Sequence, residues 1–168
     1  MKLTSAEAAK LLRKLNEEYE AILNMEVQSK EFVASLNENI ELIKPKYDFN
    51  KTQEELNILE EKIRKLKHAI NMFNCQTVVI DFNMSIDQLL VYIPQLSRKK
   101  AKLLEMKNRL AIKREPSISR VGSIIDYNYA NYDINEANKE YERVDKLLTN
   151  AQTALDVINN TNTFEFEF

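Results

Sequence analysis

The groups able to do covalent or acid–base chemistry are few in this chain, and their spacing argues against a catalytic centre. There is one histidine, His68, and one cysteine, Cys75. A thiol becomes a nucleophile when a base lies within hydrogen-bond reach, but His68 sits about two helical turns before Cys75 and on a different face. Cys75 is therefore expected to be a small buried or half-buried thiol, and His68 an exposed helical side chain. A di-iron helical bundle needs a Glu-x-x-His on each of two helices, and Lys65 holds the position three residues before the one histidine. The sequence has no glycine-rich phosphate loop, Cys-x-x-Cys pair or histidine-based triad. The expectation is a protein that is not an enzyme, with no cofactor, no metal and no evident small-molecule substrate.

Three other groups of residues point to binding. Arg98, Lys99, Lys100, Lys102, Lys107, Arg109, Lys113 and Arg114, with Arg120 soon after, form the densest run of cations. Clustered cations suit a phosphate backbone. The first helix offers an alternative use for them, because Glu17, Glu18, Glu20, Glu26, Glu31, Glu38 and Glu41 give it an acidic face that a basic helix neutralises within a bundle or across subunits. Tyr127, Tyr129 and Tyr132 sit together between charged helices, as a binding surface or as a cover for the open end of a bundle.

The third group is the terminal run Thr163-Phe164-Glu165-Phe166-Glu167-Phe168, whose strict alternation reads as a strand with a phenylalanine face. Such a strand is an aggregation-prone edge unless it pairs. The sequence suggests three partners: the segment 78–80, the segment 124–129, or the tail of another subunit. Phe164, Phe166 and Phe168 are therefore candidates for self-association.

Helices must carry most of this. Gly 1 and Pro 3 in 168 residues leave little material for tight turns, and 30% charged with 44% hydrophobic residues is the balance of amphipathic helices. Thr4-Ser5-Ala6-Glu7 is a capping box. From it Ala8, Leu12, Leu15, Tyr19, Ile22, then Val33, Leu36, Ile40 and Ile43 keep 4,3 spacing, interrupted by the polar Glu26 and Ser29. The spacing predicts a helix over about 5–43, roughly 60 Å long, or two shorter helices hinged at the polar break. A turn at Pro45 leads to a second helix over 51–74 starting at Asn50, with a stripe of Leu56, Leu59, Ile63, Leu66, Ile70 and Phe73. The short connection predicts an antiparallel pair.

Residues 77–80, Thr-Val-Val-Ile, read as a short extended segment. Ser85-Ile86-Asp87-Gln88 is a second capping box and opens a helix over 86–113, with Ile86, Leu89, Leu90, Ile93, Leu96, Leu103, Leu104 and Leu110 inward. Pro94 either kinks it or starts a new helix. Residues 115–132 are irregular, with a possible strand at Ile124–Tyr129. Asp133 to Glu136 is a capping pair for a last helix over 134–160. Ile-Asn-x-x-Asn closes both the second and the last helix, where a left-handed Asn is expected. That repetition suggests two helical hairpins, each closed by a strand. The whole reads as one mainly α domain over 1–168, a long-helix antiparallel coiled coil or four-helix bundle with short β segments near 77–80 and 163–168.

The net charge of -2 supplies no global field toward nucleic acid or an anionic membrane. A single cysteine favours a reducing compartment, the N-terminus turns polar at once, and no apolar run reaches the roughly 20 residues of a membrane span. Cytoplasmic residence is expected.

The Glu-Ala near the start, the Ile-Asn-x-x-Asn helix end, the Ser-Ile-Asp-Gln-Leu-Leu helix at 85–90 and the final Val-Asp-x-Leu helix running into Asn resemble the small bacterial helical proteins grouped as septicolysin-like. Lys67-His68-Ala69-Ile70-Asn71, Tyr92-Ile93-Pro94-Gln95-Leu96 and Tyr129-Ala130-Asn131-Tyr132-Asp133-Ile134 bring it nearer to uncharacterised members from low-GC Gram-positive bacteria. The resemblance spans most of the chain, implies a helical fold and transfers no catalytic residue. Its name implies a membrane-active cytolysin. The residues themselves favour a self-associating helical scaffold or interaction protein, with a nucleic-acid-binding module on the basic third helix as the alternative.

Overall fold

The computed structural model describes residues 1–115 and 126–168, and that chain is mainly helical with three short antiparallel strand pairs. The contacts within the chain divide it into two compact units, Met1–Thr77 with Ile158–Phe168, and Val78–Val157.

In the first unit, β1 (Lys2–Thr4) runs directly into α1 (Ser5–Ser29). The capping box forms as read: Glu7 N–H donates to the Thr4 hydroxyl at 3.2 Å, and Thr4 N–H donates to the Glu7 carboxylate at 2.9 Å. α1 packs on α3 (Phe49–Gln76). Tyr19 donates to Glu60 at 3.0 Å and Gln53 to Glu26 at 2.8 Å, so the two helices run antiparallel. Ala8, Leu15, Leu59 and Leu66 are buried between them, with Leu12, Tyr19, Ile22, Ile63 and Ile70 alongside.

The expected helix over 5–43 stops at Ser29, and only the short α2 (Ile40–Ile43) follows before α3. The polar break is where it ends, for a physical reason. The half-buried Glu26 carboxylate accepts from Tyr47 at 2.6 Å as well as from Gln53, so the start of α3 and the segment before it are tied to the end of α1. Since α3 begins at Phe49, a helix continued past Ser29 would have no partner for its stripe. Asn50 is not the cap of α3 either. Asp48 holds that position and accepts from the Lys51 N–H at 3.1 Å.

β6 (Thr163–Glu165) closes this unit. It pairs antiparallel with β1, Leu3 opposite Phe164 and Thr4 opposite Thr163, a partner outside the three that the sequence suggested. The register is extended when Phe166 N–H donates to the Met1 carbonyl and the N-terminal ammonium donates to the Phe166 carbonyl at 2.6 Å.

The second unit opens with β2 (Val78–Val79), a 3-10 turn at Ile80–Phe82 and β3 (Met84–Ser85), which pairs back on β2. The extended segment is thus shorter than 77–80. Asn83 supplies the left-handed turn residue, at φ 50°. The asparagines at the helix ends do not: α3 continues through Asn71 and Asn74, and Asn162, one residue past α5, does not take a positive φ. Ser85 and Gln88 form the second capping box, at 3.0 and 3.2 Å, at the start of α4 (Ile86–Lys107). α4 runs unbroken through Pro94 and ends six residues before the expected 113. Ile112–Arg114 then form β4, paired with β5 (Tyr127–Tyr129), and α5 (Ile134–Thr161) follows, started by Asp133 accepting from the Asn135 N–H at 2.7 Å. Ile124 and Arg120 lie outside the described residues.

Ile86, Leu89, Leu96 and Leu103 of α4, and Ala137, Val144, Leu148 and Ala151 of α5, are buried. Leu90, Leu104 and Leu110, expected inward, are exposed. Tyr132 reaching Met106 and Lys100 reaching Asp145 show that α4 and α5 also run antiparallel.

The element order therefore repeats as strand, helix, helix, strand, with the same register in both halves. The N-cap of each leading helix, Thr4 or Ser85, lies opposite the residue two past the end of each trailing helix, Thr163 or Val78. These two strand pairs, β1–β6 and β2–β3, each take one strand from each half of the sequence.

Candidate functional site

His68 and Cys75 are both exposed, so the thiol is not the buried or half-buried one expected. α3 turns it away from the stripe that packs on α1. Among the described residues no group of three or more His, Cys, Asp or Glu side chains is placed to hold a metal ion, and no helix is long and apolar enough to cross a membrane.

The eight cations of the predicted patch have separate uses. On α4, Lys99 meets Glu140 at 2.6 Å and Lys100 meets Asp145 at 2.5 Å, while the Lys107 ammonium lies 3.8 Å from the centre of the Tyr141 ring. These three face α5. Asp145 holds the Lys100 ammonium above its ordinary range through their hydrogen bond. Hydrogen bonds from Arg143 and then Lys99 pull the Glu140 carboxyl down to about 2. A depressed carboxyl stabilises the fold above its ordinary value of 4.5 and loses that contribution as pH falls through about 2. Side-chain carboxyl titration by NMR should therefore show Glu140 ionised at pH 3.5, and Arg143→Ala should raise its midpoint.

Arg109 donates to Asn128 at 2.8 Å. Arg98, Lys102, Lys113 and Arg114 are exposed with no acidic partner among the described residues. Lys113 and Arg114 belong to the ribbon of β4 and β5. Ile112 pairs with Tyr129 and Arg114 with Tyr127, so alternation puts these four on one face and Lys113 with Asn128 on the other. All six are exposed, as is Leu110 at the ribbon's foot. Its register is held by Ala130 N–H to the Ala111 carbonyl and Glu115 N–H to the Asp126 carbonyl, and its base by the Tyr132 hydroxyl donating to the Met106 carbonyl at 2.8 Å. Tyr132 is thus a half-buried anchor, while Tyr127 and Tyr129 present open rings.

The first unit has a surface that the sequence reading placed inside a helix. Every residue from Lys30 to Lys44 is exposed. Val33 is 97% and Leu36 105% exposed, and Phe32, Ile40, Leu42, Ile43 and Phe49 are exposed too. Scattered exposed aliphatics are ordinary, but a run of this density is not. The segment is shaped. The Glu38 N–H donates to the Ser35 carbonyl, the Ser35 N–H to the Glu38 carboxylate at 2.7 Å, and Asn39 caps α2. Its far end is tied down by Tyr47, whose phenol is pushed up to about 12 by its hydrogen bond to Glu26. A raised phenol keeps its contribution below the ordinary 10 and loses it as pH rises through about 12. Ultraviolet titration should find one tyrosine ionising that late, and Glu26→Gln should return it toward 10.

Of the three tail phenylalanines, Phe166 is 6% exposed in the core with Ala8 and Leu66, and Phe164 is half-buried against Phe73, their ring centres 5.0 Å apart. Phe168 lies at the surface, edge-on to Phe166.

Two antiparallel helical hairpins, each with a short strand pair, define the class of fold. That fold is similar to the crystal structure of a functionally unknown conserved protein from Corynebacterium diphtheriae, with a TM-score of 0.61 and 17% identity over 98% of this chain and 100% of that one. No family model and no curated protein matches the chain.

Proposed function

We propose that this protein is a non-enzymatic helical scaffold that works by associating with copies of itself. The observation that carries the reading is the exposed apolar segment 30–44 between α1 and α3, with Val33 and Leu36 almost wholly in solvent. Leaving such side chains in water forgoes about 1.5–3 kcal/mol for each large one that a partner would bury. The test is light scattering on a size-exclusion column for the wild type and for Val33→Ser/Leu36→Ser/Leu42→Ser. The wild type should elute as an oligomer and the triple variant as a monomer of unchanged helical content. A wild type that is monomeric at every concentration overturns the proposal.

One observation favours a second reading. Arg98, Lys102, Lys113 and Arg114 have no acidic partner among the described residues and lie in the same unit as the open rings of Tyr127 and Tyr129. Unpaired cations with aromatic platforms suit single-stranded nucleic acid. Binding that falls steeply with salt and is lost in Lys113→Glu/Arg114→Glu supports this reading; no binding at low salt removes it.

A further inference from the structure

The strand-helix-helix-strand repeat makes each half a control for the other. Thr4 and Ser85 are equivalent N-caps, and Thr163 and Val78 are the residues opposite them. Counted from those anchors, Ala8 and Leu89 are both fully buried. Ala9 and Leu90, Lys10 and Val91, Thr163 and Val78, Glu165 and Ile80 are exposed in both halves. Residue type does not follow. At these four exposed positions the first unit has Ala9, Lys10, Thr163 and Glu165, the small and polar residues of a wet surface. The second unit has Leu90, Val91, Val78 and Ile80, exposed by 44%, 57%, 53% and 88%. The fold accepts small and polar side chains at these places, so the aliphatic ones answer to something outside the unit. β2 packs on α4, which brings the four to one end of the second unit.

Their charge setting is one-sided. Residues 78–97 contain Asp81 and Asp87, both exposed, and no cation. Asp87 lies three and four residues before Leu90 and Val91, on the same side of the first turns of α4. The Lys100–Asp145 pair sets the later part of α5 beside the earlier part of α4, and residues 147–157 add Asp156 and again no cation. Such a surface repels nucleic acid and anionic lipid, and a second copy presenting the same surface sets carboxylates against carboxylates.

We infer that Val78, Ile80, Leu90 and Val91 are the apolar centre of a docking surface for a different protein, whose docking segment carries apolar side chains flanked by Lys or Arg. The aliphatic side chains supply the burial, and Asp81 and Asp87 select the sign of the partner's charge. This surface lies in the other unit from the segment 30–44 and does not depend on whether copies associate.

The test uses the full chain and a variant that installs the residues of the other half, Val78→Thr/Ile80→Glu/Leu90→Ala/Val91→Lys. Because the first unit already carries these residues at equivalent places, the variant should keep wild-type helical circular dichroism. The probes are synthetic helical peptides that share one leucine stripe and carry lysine, glutamine or glutamate at every other position. Fluorescence anisotropy should show the lysine peptide binding wild type most tightly and the glutamate peptide least. The variant should bind the lysine peptide at least about tenfold more weakly. In Asp81→Asn/Asp87→Asn the preference for lysine over glutamine should shrink. A wild type that binds no peptide, or binds the glutamate peptide as well as the lysine one, overturns the inference. So does a variant that binds the lysine peptide like wild type, which would move the site elsewhere. A variant that loses the self-association of wild type would make this surface a contact between copies, against the inference and in favour of the scaffold reading.

Discussion

Phe166→Ala is expected to destabilise the protein by about 3–5 kcal/mol, the cost of emptying a large aromatic site in a packed core. Phe166 lies two residues before the last, in a region where truncation is ordinarily harmless. Here it is 6% exposed and packs with Ala8, Leu15, Leu59 and Leu66, and its backbone exchanges hydrogen bonds with Met1. Net stabilities of single domains run about 5–15 kcal/mol, so this one side chain is expected to decide whether the first unit stays folded. Phe168→Ala, two residues on and at the surface, should cost less than about 1 kcal/mol. Urea unfolding followed by helical circular dichroism separates them. Equal midpoints for the two variants would mean that the tail does not close the core.

The second large effect belongs to the other unit. Leu89→Ala should cost about 2–5 kcal/mol, and Leu90→Ala less than about 1 kcal/mol. The two leucines are adjacent on α4, but Leu89 is fully buried and Leu90 is 44% exposed. Thermal unfolding of both variants makes the comparison, and a Leu90 variant as unstable as the Leu89 variant would place the wrong face of α4 inward.

That leucine pair also shows what the sequence could and could not reveal. Spacing identified α3 and α5 to within a few residues, because each stripe has a helical partner along its length and a capping side chain at its start. Both capping boxes were legible for the same reason: Thr4 with Glu7 and Ser85 with Gln88 are local pairs whose geometry needs nothing from the rest of the chain. Adjacent leucines are a different matter. Period alone allows Leu90 and Leu104 to face inward with Leu89 and Leu103, and only the width of the groove against the neighbouring helix decides.

The end of α1 was illegible for a related cause. Val33, Leu36, Ile40 and Ile43 keep the spacing of a buried stripe whether or not anything covers them. What ends the helix is remote. α3 starts at Phe49, and its first turn is tied to Glu26 through Gln53, so a continued stripe would face water. The polar Glu26 was visible as an interruption, but its two hydrogen-bond partners were not.

The tail was half legible. Alternation marked a strand with an apolar face, yet β1 is only Lys2–Thr4, too short to show alternation of its own. The basic run misled by continuity. Eight cations in seventeen residues look like one face, but the turn after Lys107 moves Lys113 and Arg114 onto a ribbon, and Lys99, Lys100 and Lys107 are engaged by α5.

Sedimentation velocity across a wide dilution series of the unmodified chain is the most direct measurement of the scaffold reading. A weight-average mass that falls from a multiple of the single-chain value toward that value on dilution is the expected result. A single-chain mass at every concentration would mean that the exposed segment between α1 and α3 does not join copies of this protein.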